Sequence, residues 1–352
     1  MKRLNLEKYG LPQEVLENYT DCTPARVTTV HRERYELVCE YGEVSARLKS
    51  SAYFSDSLEE FPTTGDFVLI DHNPRGDSLI LKTLPRRSFF SRRDPDKGRG
   101  EQAVAANFDY VFIMQSLNQD FNLKRLERYV TLAWQSGATP VLVFTKADLV
   151  DDWENQMEAA AEIAIGVSIH SVSAVDGTDL RTLDFYLSPG KTVVFLGSSG
   201  VGKSSLVNAL AGEDLMFVQE IREDDDKGRH TTTHRQLVML DNGAMIIDTP
   251  GMRELGMWDV SAGLGEAFSD VEGYFPYCKF TDCEHKSEPG CAVKAALDSG
   301  DLPFERWESY LRLKREARFI EDKAAYLEIQ KQRGKDFHKW KKQTQKNGVG
   351  LK

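Results

Sequence analysis

The chain has 352 residues and an apolar share of 41%, enough for two or three globular domains with substantial cores. No apolar run approaches the ~18 residues of a membrane span, and Met1-Lys2-Arg3-Leu4-Asn5-Leu6-Glu7 has no apolar stretch behind its basic residues. A secretory signal and a membrane partner are therefore not expected, and a cytoplasmic location is. The net charge of −10 argues by itself against nucleic acid, but residues 301–352 carry 14 Lys and Arg against 8 Asp and Glu, the asymmetry of a basic interaction tail.

Residues 1–24 read as a helical or loose lead-in. Over residues 25–90 short apolar or alternating runs follow one another, among them Tyr35-Glu36-Leu37-Val38-Cys39 and Asp66-Phe67-Val68-Leu69-Ile70. About five strands with turn residues between them fit a small OB-like β-barrel, with an SH3-like barrel as the alternative. Residues 91–106 read as an exposed Arg/Gly-rich connection. The basic residues beside Phe89 and Phe90 suit phosphate and stacked bases as well as they suit a plain linker. Residues 107–262 change to a strand, helix, strand rhythm: Tyr110–Met114, the amphipathic Leu123–Ala133, Pro140–Phe144, Trp153–Ile165, Val167–His170, Leu180–Leu187 and Thr192–Leu196. Leu237 and Ile247 then fall in two strands of a hairpin around Asp241-Asn242-Gly243. Such alternation predicts a parallel sheet covered by helices on both faces. Residues 263–330 are expected to form a metal-binding helical domain, and 331–352 a basic tail with interleaved aromatics. Nothing calls for an obligate oligomer, so a monomer is expected.

Gly197-Ser198-Ser199-Gly200-Val201-Gly202-Lys203-Ser204-Ser205 fits G-x-x-x-x-G-K-[ST] at every fixed position, between an apolar strand and an apolar-periodic helix. Glycines let backbone N–H groups turn toward an anion at the positive end of the new helix. Lys203 would reach the β- and γ-phosphates, and Ser204 would set its hydroxyl on Mg²⁺. Thr145-Lys146-Ala147-Asp148 resembles the [NT]-K-x-D motif of GTPases: the Asp148 carboxylate can accept two hydrogen bonds from guanine, which adenine cannot supply, while Lys146 lies along the base. Thr145 stands where Asn is usual and lacks its amide. Ser173-Ala174 resembles the element that backs the guanine O6. Asp248-Thr249-Pro250-Gly251 fits D-x-x-G, with Asp248 on Mg²⁺ through water and the Gly251 N–H on the γ-phosphate. Gly228-Arg229-His230-Thr231-Thr232-Thr233 is the candidate first switch. Thr232 is its expected Mg²⁺ ligand, with Thr231 or Thr233 as alternatives.

The order of these motifs is inverted: the base elements precede the phosphate loop, as if the chain of an ordinary GTPase had been circularly permuted. Met252 stands where many GTPases carry a water-orienting Gln. His230 is the candidate for that role, or else an exposed or RNA-contacting switch residue.

Cys278-x₄-Cys283-x-His285-x₅-Cys291 offers three thiolates and an imidazole, a set suited to a closed, tetrahedral, structural Zn²⁺. Cys22 and Cys39 read as small buried hydrophobes.

The permuted order, the Gly-Arg-His-Thr-Thr-Thr stretch, the N-terminal barrel and the C-terminal Cys/His cluster together resemble the ribosome small-subunit-dependent GTPase A family (RsgA, also called YjeQ). The resemblance covers nearly the whole chain. It implies a GTPase that hydrolyses GTP to GDP, binds the small (30S) ribosomal subunit and its 16S rRNA late in assembly, is stimulated by that subunit, and carries zinc at these Cys and His residues. The alternatives are a regulatory GTP-binding switch for a protein partner, and a P-loop kinase or ATPase in which Thr145–Asp148 is accidental.

Overall fold

Eleven strands run through one continuous sheet, half of it rolled into a barrel and half of it open. The computed structural model describes residues 4–13, 19, 22–31, 34–49, 61–93, 101–117, 121–150, 153–198, 200–213, 235–248, 261–286, 288–315 and 318. The barrel comprises β1 (Thr23–Val30), β2 (Tyr35–Cys39), β3 (Gly42–Leu48), β4 (Phe67–Asp71) and β5 (Ser78–Thr83). β1 pairs antiparallel with both β2 and β4, and β3 runs parallel to β5, which closes the ring in the order β1-β2-β3-β5-β4. A parallel closing pair requires a crossover rather than a simple meander, so the barrel is OB-like rather than SH3-like. Its interior follows the two-residue period: Ala25 and Val27, Leu37 and Cys39, Val68 and Ile70 all point inward. Cys39 is buried as expected and Cys22 is half-buried.

The stretch expected to be an exposed connection is structured at both ends. β6 (Phe89–Arg93) and β7 (Glu101–Ala106) pair as an antiparallel ribbon. Phe90 is buried and stacks on Phe108 at 4.9 Å, so of the two aromatics proposed for base stacking only Phe89 is exposed.

The open half contains β8 (Tyr110–Ser116), helix α1 (Leu123–Gln135), β9 (Thr139–Thr145), α2 (Glu154–Ile163), β10 (Ser168–Ser171), β11 (Thr192–Gly197), α3 (Lys203–Ala211), β12 (Gln236–Met239) and β13 (Met245–Asp248). The strand order is β10-β9-β8-β11-β13-β12, parallel throughout except for β12, which forms the expected hairpin with β13. Alternation along β8 sorts its side chains into two layers. Val111 and Ile113 face α1 on one side, and Phe112 and Met114 face α3 on the other. The Asn122 side chain caps α1 by accepting the Arg125 N–H at 3.0 Å. The helix expected over Leu180–Leu187 is only a single 3-10 turn, Leu180–Leu183. Asp179, at φ 55°, starts it in a left-handed conformation, and Ser188-Pro189-Gly190 ends the segment soon after.

The C-terminal part consists of α4 (Ser261–Ala267), α5 (Ser269–Glu272), α6 (Ala292–Ser299) and a last helix α7 over 304–315. α4 lies against α1 at Gly263, where a Cβ would sit 2.4 Å from the Thr131 carbonyl oxygen, so only glycine allows the approach. Arg306 of α7 completes this joint. Its guanidinium donates to Glu127 of α1 (2.9 Å), to Asp270 (2.9 Å twice) and to the Ala267 carbonyl (2.6 Å), and it lies 4.0 Å over the Phe268 ring. Arg26 makes a similar joint between the barrel and the open sheet. It is 1% exposed and donates to the carbonyls of Tyr9, Gly65 and Asn107 and to the Thr192 hydroxyl. Burial pulls its pKa down to about 9, which leaves it charged at neutral pH. Among the described residues, no helix is long and apolar enough to cross a membrane.

Candidate functional site

The C-terminal ends of β8, β9, β10, β11 and β13 lie along one edge of the sheet, because all five run parallel. In an open α/β sheet this edge is where ligands bind. β11 ends at Gly197 and the chain turns through Ser198 and Gly200 to Gly202, which caps α3 in the left-handed region at φ 99° and so calls for glycine. The free N–H groups of Lys203, Ser204 and Ser205 therefore open the helix at this edge, with its positive end facing outward. Val201 is buried, so it serves the loop through its backbone.

β13 delivers Asp248 next to this loop. The Lys203 ammonium and the Asp248 carboxylate approach to 3.7 Å, with Asp248 only 9% exposed. β9 delivers Thr145 from the other side. Thr145 lacks the amide of the more usual Asn, yet its hydroxyl donates to the Val201 carbonyl at 2.5 Å, tying the predicted base loop to the phosphate loop. Lys146 follows in a left-handed turn at φ 60°, and Asp148 stands exposed in the short turn Ala147–Leu149. β10 continues into Ser173 and Ala174. Ser173 is fully buried and its hydroxyl accepts the Val175 N–H at 3.3 Å, while the Val172 N–H donates to the Phe144 carbonyl at 2.8 Å and holds this turn beside the base loop.

The described part of the predicted site thus comes together at one edge: Gly197, Ser198, Gly200, Val201, Gly202, Lys203, Ser204, Ser205, Thr145, Lys146, Asp148, Ser173, Ala174 and Asp248. Ser199, His230, Thr232 and Gly251 lie outside the described residues.

The Cys/His cluster is also brought together. The ligand atoms of Cys278, Cys283, His285 and Cys291 all lie within 4.8 Å of one another, so they could hold one metal ion. Nδ1 of His285 is 3.6 Å from the Cys278 sulfur and 3.5 Å from the Cys291 sulfur. Tetrahedral ligands at ~2.3 Å for sulfur and ~2.0 Å for nitrogen stand about 3.6 Å apart, so the spacing fits a four-ligand ion. The imidazole is stacked on Phe275 at 4.3 Å and meets Trp307 edge-on at 5.9 Å. Burial, aided by the Lys314 ammonium, lowers the His285 pKa and favours the neutral ring a metal needs.

Two residues that join the parts of the fold escape motif reasoning: Arg26, between the barrel and the open sheet, and Arg306, between α7 and α1. Arg306 leaves a trace in the sequence. It shares the apolar stripe Arg306, Trp307, Tyr310, Leu313 of α7, where an arginine must find partners inside.

A phosphate loop, a T-K-x-D loop and a D-x-x-G aspartate converge on one parallel sheet in inverted chain order, which defines a circularly permuted P-loop GTPase. The RsgA GTPase family model matches residues 83–258. The small ribosomal subunit biogenesis GTPase RsgA 1 of Listeria monocytogenes is 48% identical over 313 residues, 88% of this chain and 89% of that protein. YjeQ from Thermotoga maritima superposes with a TM-score of 0.63 at 26% identity, over 84% of this chain and 98% of that one. YloQ, described as a circularly permuted GTPase, superposes at 0.61 with 25% identity, over 86% and 96%. The chain belongs to the RsgA GTPase family.

Proposed function

We propose that the chain hydrolyses GTP to GDP and phosphate during late maturation of the small ribosomal subunit, binding its 16S rRNA and being stimulated by the subunit. The observation that carries the nucleotide reading is the Thr145–Val201 bond, which holds a guanine-type loop and a phosphate loop at one distance from each other. The ribosomal reading is supported by its relatives, which are named small ribosomal subunit biogenesis GTPases. That partner implies work in the cytoplasm, and one copy of the chain carries every element of the site.

In this reading Asp148 selects guanine, Lys146 covers the base plane, and Ser173-Ala174 backs the O6. The amides of residues 197–205 and the Lys203 ammonium hold the phosphates. Ser204, Asp248 and Thr232 would hold Mg²⁺, which would neutralise phosphate charge. Gly251 reads the γ-phosphate, and Lys203 stabilises charge as the bond to the leaving phosphate breaks. The cluster at Cys278, Cys283, His285 and Cys291 would hold one ion, and its donor set suits a structural Zn²⁺. The barrel, the exposed Phe89 with its neighbouring arginines and the basic tail supply RNA contacts, whose strength falls with salt.

The test is turnover of GTP with and without purified small subunits, with ATP as control. Stimulation by the subunit for GTP alone is expected. Asp148→Asn is expected to lose guanine preference by on the order of a hundredfold, because the negative charge is removed and one of the two acceptor oxygens becomes an NH₂ that faces a guanine donor. Binding without stimulation would instead favour a regulatory switch, and equal turnover of ATP would make this a kinase or ATPase. His230 is assigned to orient the attacking water, since Met252 cannot. His230→Ala is expected to keep GTP binding while stimulated turnover falls by about 10²–10⁴. Normal stimulated turnover in that variant would hand the water to another group.

A further inference from the structure

β10 ends the open half of the sheet: among the described residues its one strand neighbour is β9. The Val172 N–H, just beyond β10, donates to the Phe144 carbonyl of β9. Successive peptide groups of a strand point to opposite sides. The N–H and C=O groups of Ile169 and Ser171 therefore point away from β9, outward from the sheet. Such an outward row is a template for a further extended chain. Edges are commonly blunted by Lys, Pro or a bulge. Ser168-Ile169-His170-Ser171 contains no Lys and no Pro, and it pairs with β9 in unbroken register from Ser168–Val141 to Ser171–Phe144. Its length suits a partner strand of about four residues.

The surroundings of this edge are apolar and acidic together. Ile169 shares an apolar layer with Ala160 of α2, while His170 faces Tyr186, its Nε2 3.0 Å from the Tyr186 hydroxyl. α2 and the 176–186 segment thus flank β10 on opposite faces of the sheet. Phe185 meets Tyr186 edge-on at 5.3 Å and is 72% exposed, and Val175, shortly after the strand, is 85% exposed. On α2, Glu154, Glu158 and Glu162 recur every four residues, so they share one helix face, and all three are exposed. Asp176, Asp179 and Asp184 follow β10 and are exposed too. Against these six carboxylates, residues 154–187 carry one arginine, Arg181, and burial lowers the pKa of His170 and favours its neutral ring. So acidic a surface repels nucleic acid and anionic lipid, and two copies paired through this edge would bring like charges together. We propose that the β10 edge is a docking site for a partner protein, which adds an extended, Lys/Arg-rich segment as a strand beside β10. The backbone of that segment pairs with Ile169 and Ser171, its cations meet the carboxylates, and its apolar side chains cover Phe185.

The test is binding of labelled seven-residue peptides to the full chain in physiological salt. In the first peptide lysine and valine alternate. In the second glutamate replaces lysine. The third is the first with its backbone nitrogens methylated, which removes the donors and keeps the charge. The lysine peptide is expected to bind, and the other two at least about tenfold more weakly. Amide exchange at Ile169 and Ser171 is expected to slow when the lysine peptide is added. The double change Glu158→Lys with Glu162→Lys is expected to weaken that peptide about tenfold, and Phe185→Ser about three- to tenfold. All three side chains are exposed, so these variants are expected to melt as the wild type does. A lysine peptide that does not bind, a methylated peptide that binds as well, or slowed exchange confined to other strands overturns the proposal. A dimer of the full chain that excludes the peptide overturns it in favour of a second copy, and an RNA oligonucleotide that protects the same two amides overturns it in favour of nucleic acid.

Discussion

Removing the metal from the Cys278, Cys283, His285 and Cys291 cluster is expected to unfold the segment around it and to loosen α7. Between Tyr277 and Ala292 the described chain has no helix or strand, and His285 sits in a left-handed conformation at φ 61°. Little but the shared ion can hold such a stretch. The Lys279 N–H to Gly290 carbonyl bond, at 3.0 Å, bridges its ends, and the Cys291 sulfur also accepts the Lys294 N–H at the start of α6. Structural zinc is worth about 10–16 kcal/mol in small zinc domains, more than most domains have in total stability. The effect should reach α7, because the His285 ring packs against Trp307, which stacks on Tyr310 at 5.5 Å. Chelation at neutral pH should therefore change tryptophan fluorescence and abolish a cooperative melting transition, and Cys291→Ser should do the same without chelator. Identical melting curves with and without the metal would show that the cysteines merely pack.

The second large effect is expected at Arg306. Arg306→Ala would leave the Glu127 carboxylate buried, both side chains being 5% exposed, with Arg312 at 3.3 Å as its remaining ionic partner. Removing one partner of a buried ion pair costs about 3–5 kcal/mol, because the other charge stays desolvated. At about 2.1 cal/mol/K of unfolding entropy per residue, a chain of 352 residues would lose about 4–7 °C in Tm. The paired change Arg306→Met with Glu127→Leu removes both charges and should recover much of the loss. Calorimetry of the two single variants and the double variant checks this. A single variant that melts like the wild type would mean that α7 is not held to α1 by this pair. Guanine nucleotide affinity should change little in either case, since the ionic partners of Glu127 are Arg306 and Arg312, neither of which belongs to the nucleotide site.

Features that depend on near neighbours in the chain were legible without coordinates. The Gly197–Ser205 loop needs only a strand before it and a helix after it. The inversion of base and phosphate motifs is a matter of chain order alone. The four metal ligands lie within fourteen residues, so their spacing already implies that they can meet. The barrel strands announce themselves by alternation, since a two-residue period sets which side chains share a face.

Tertiary structure decided what distant faces do to one another. Alternation along β1 turns Arg26 away from the barrel interior, toward what would be water. The open sheet covers that face and buries it, with Thr192, 166 residues away, as a partner. Arg306 finds Glu127 across 179 residues. Phe90 looked like an exposed stacking residue until Phe108 met it. Thr145 looked like a weakened base motif until its hydroxyl reached Val201, 56 residues on. Sequence periodicity determines which side of an element is apolar, and so it determined the class of this protein and the contents of its site. Which elements press on those sides depends on the packing of the whole chain. The pairing of Thr29 with Gln236, and the bond from the Thr64 hydroxyl to the Arg235 carbonyl, are therefore visible only once the strands are in register.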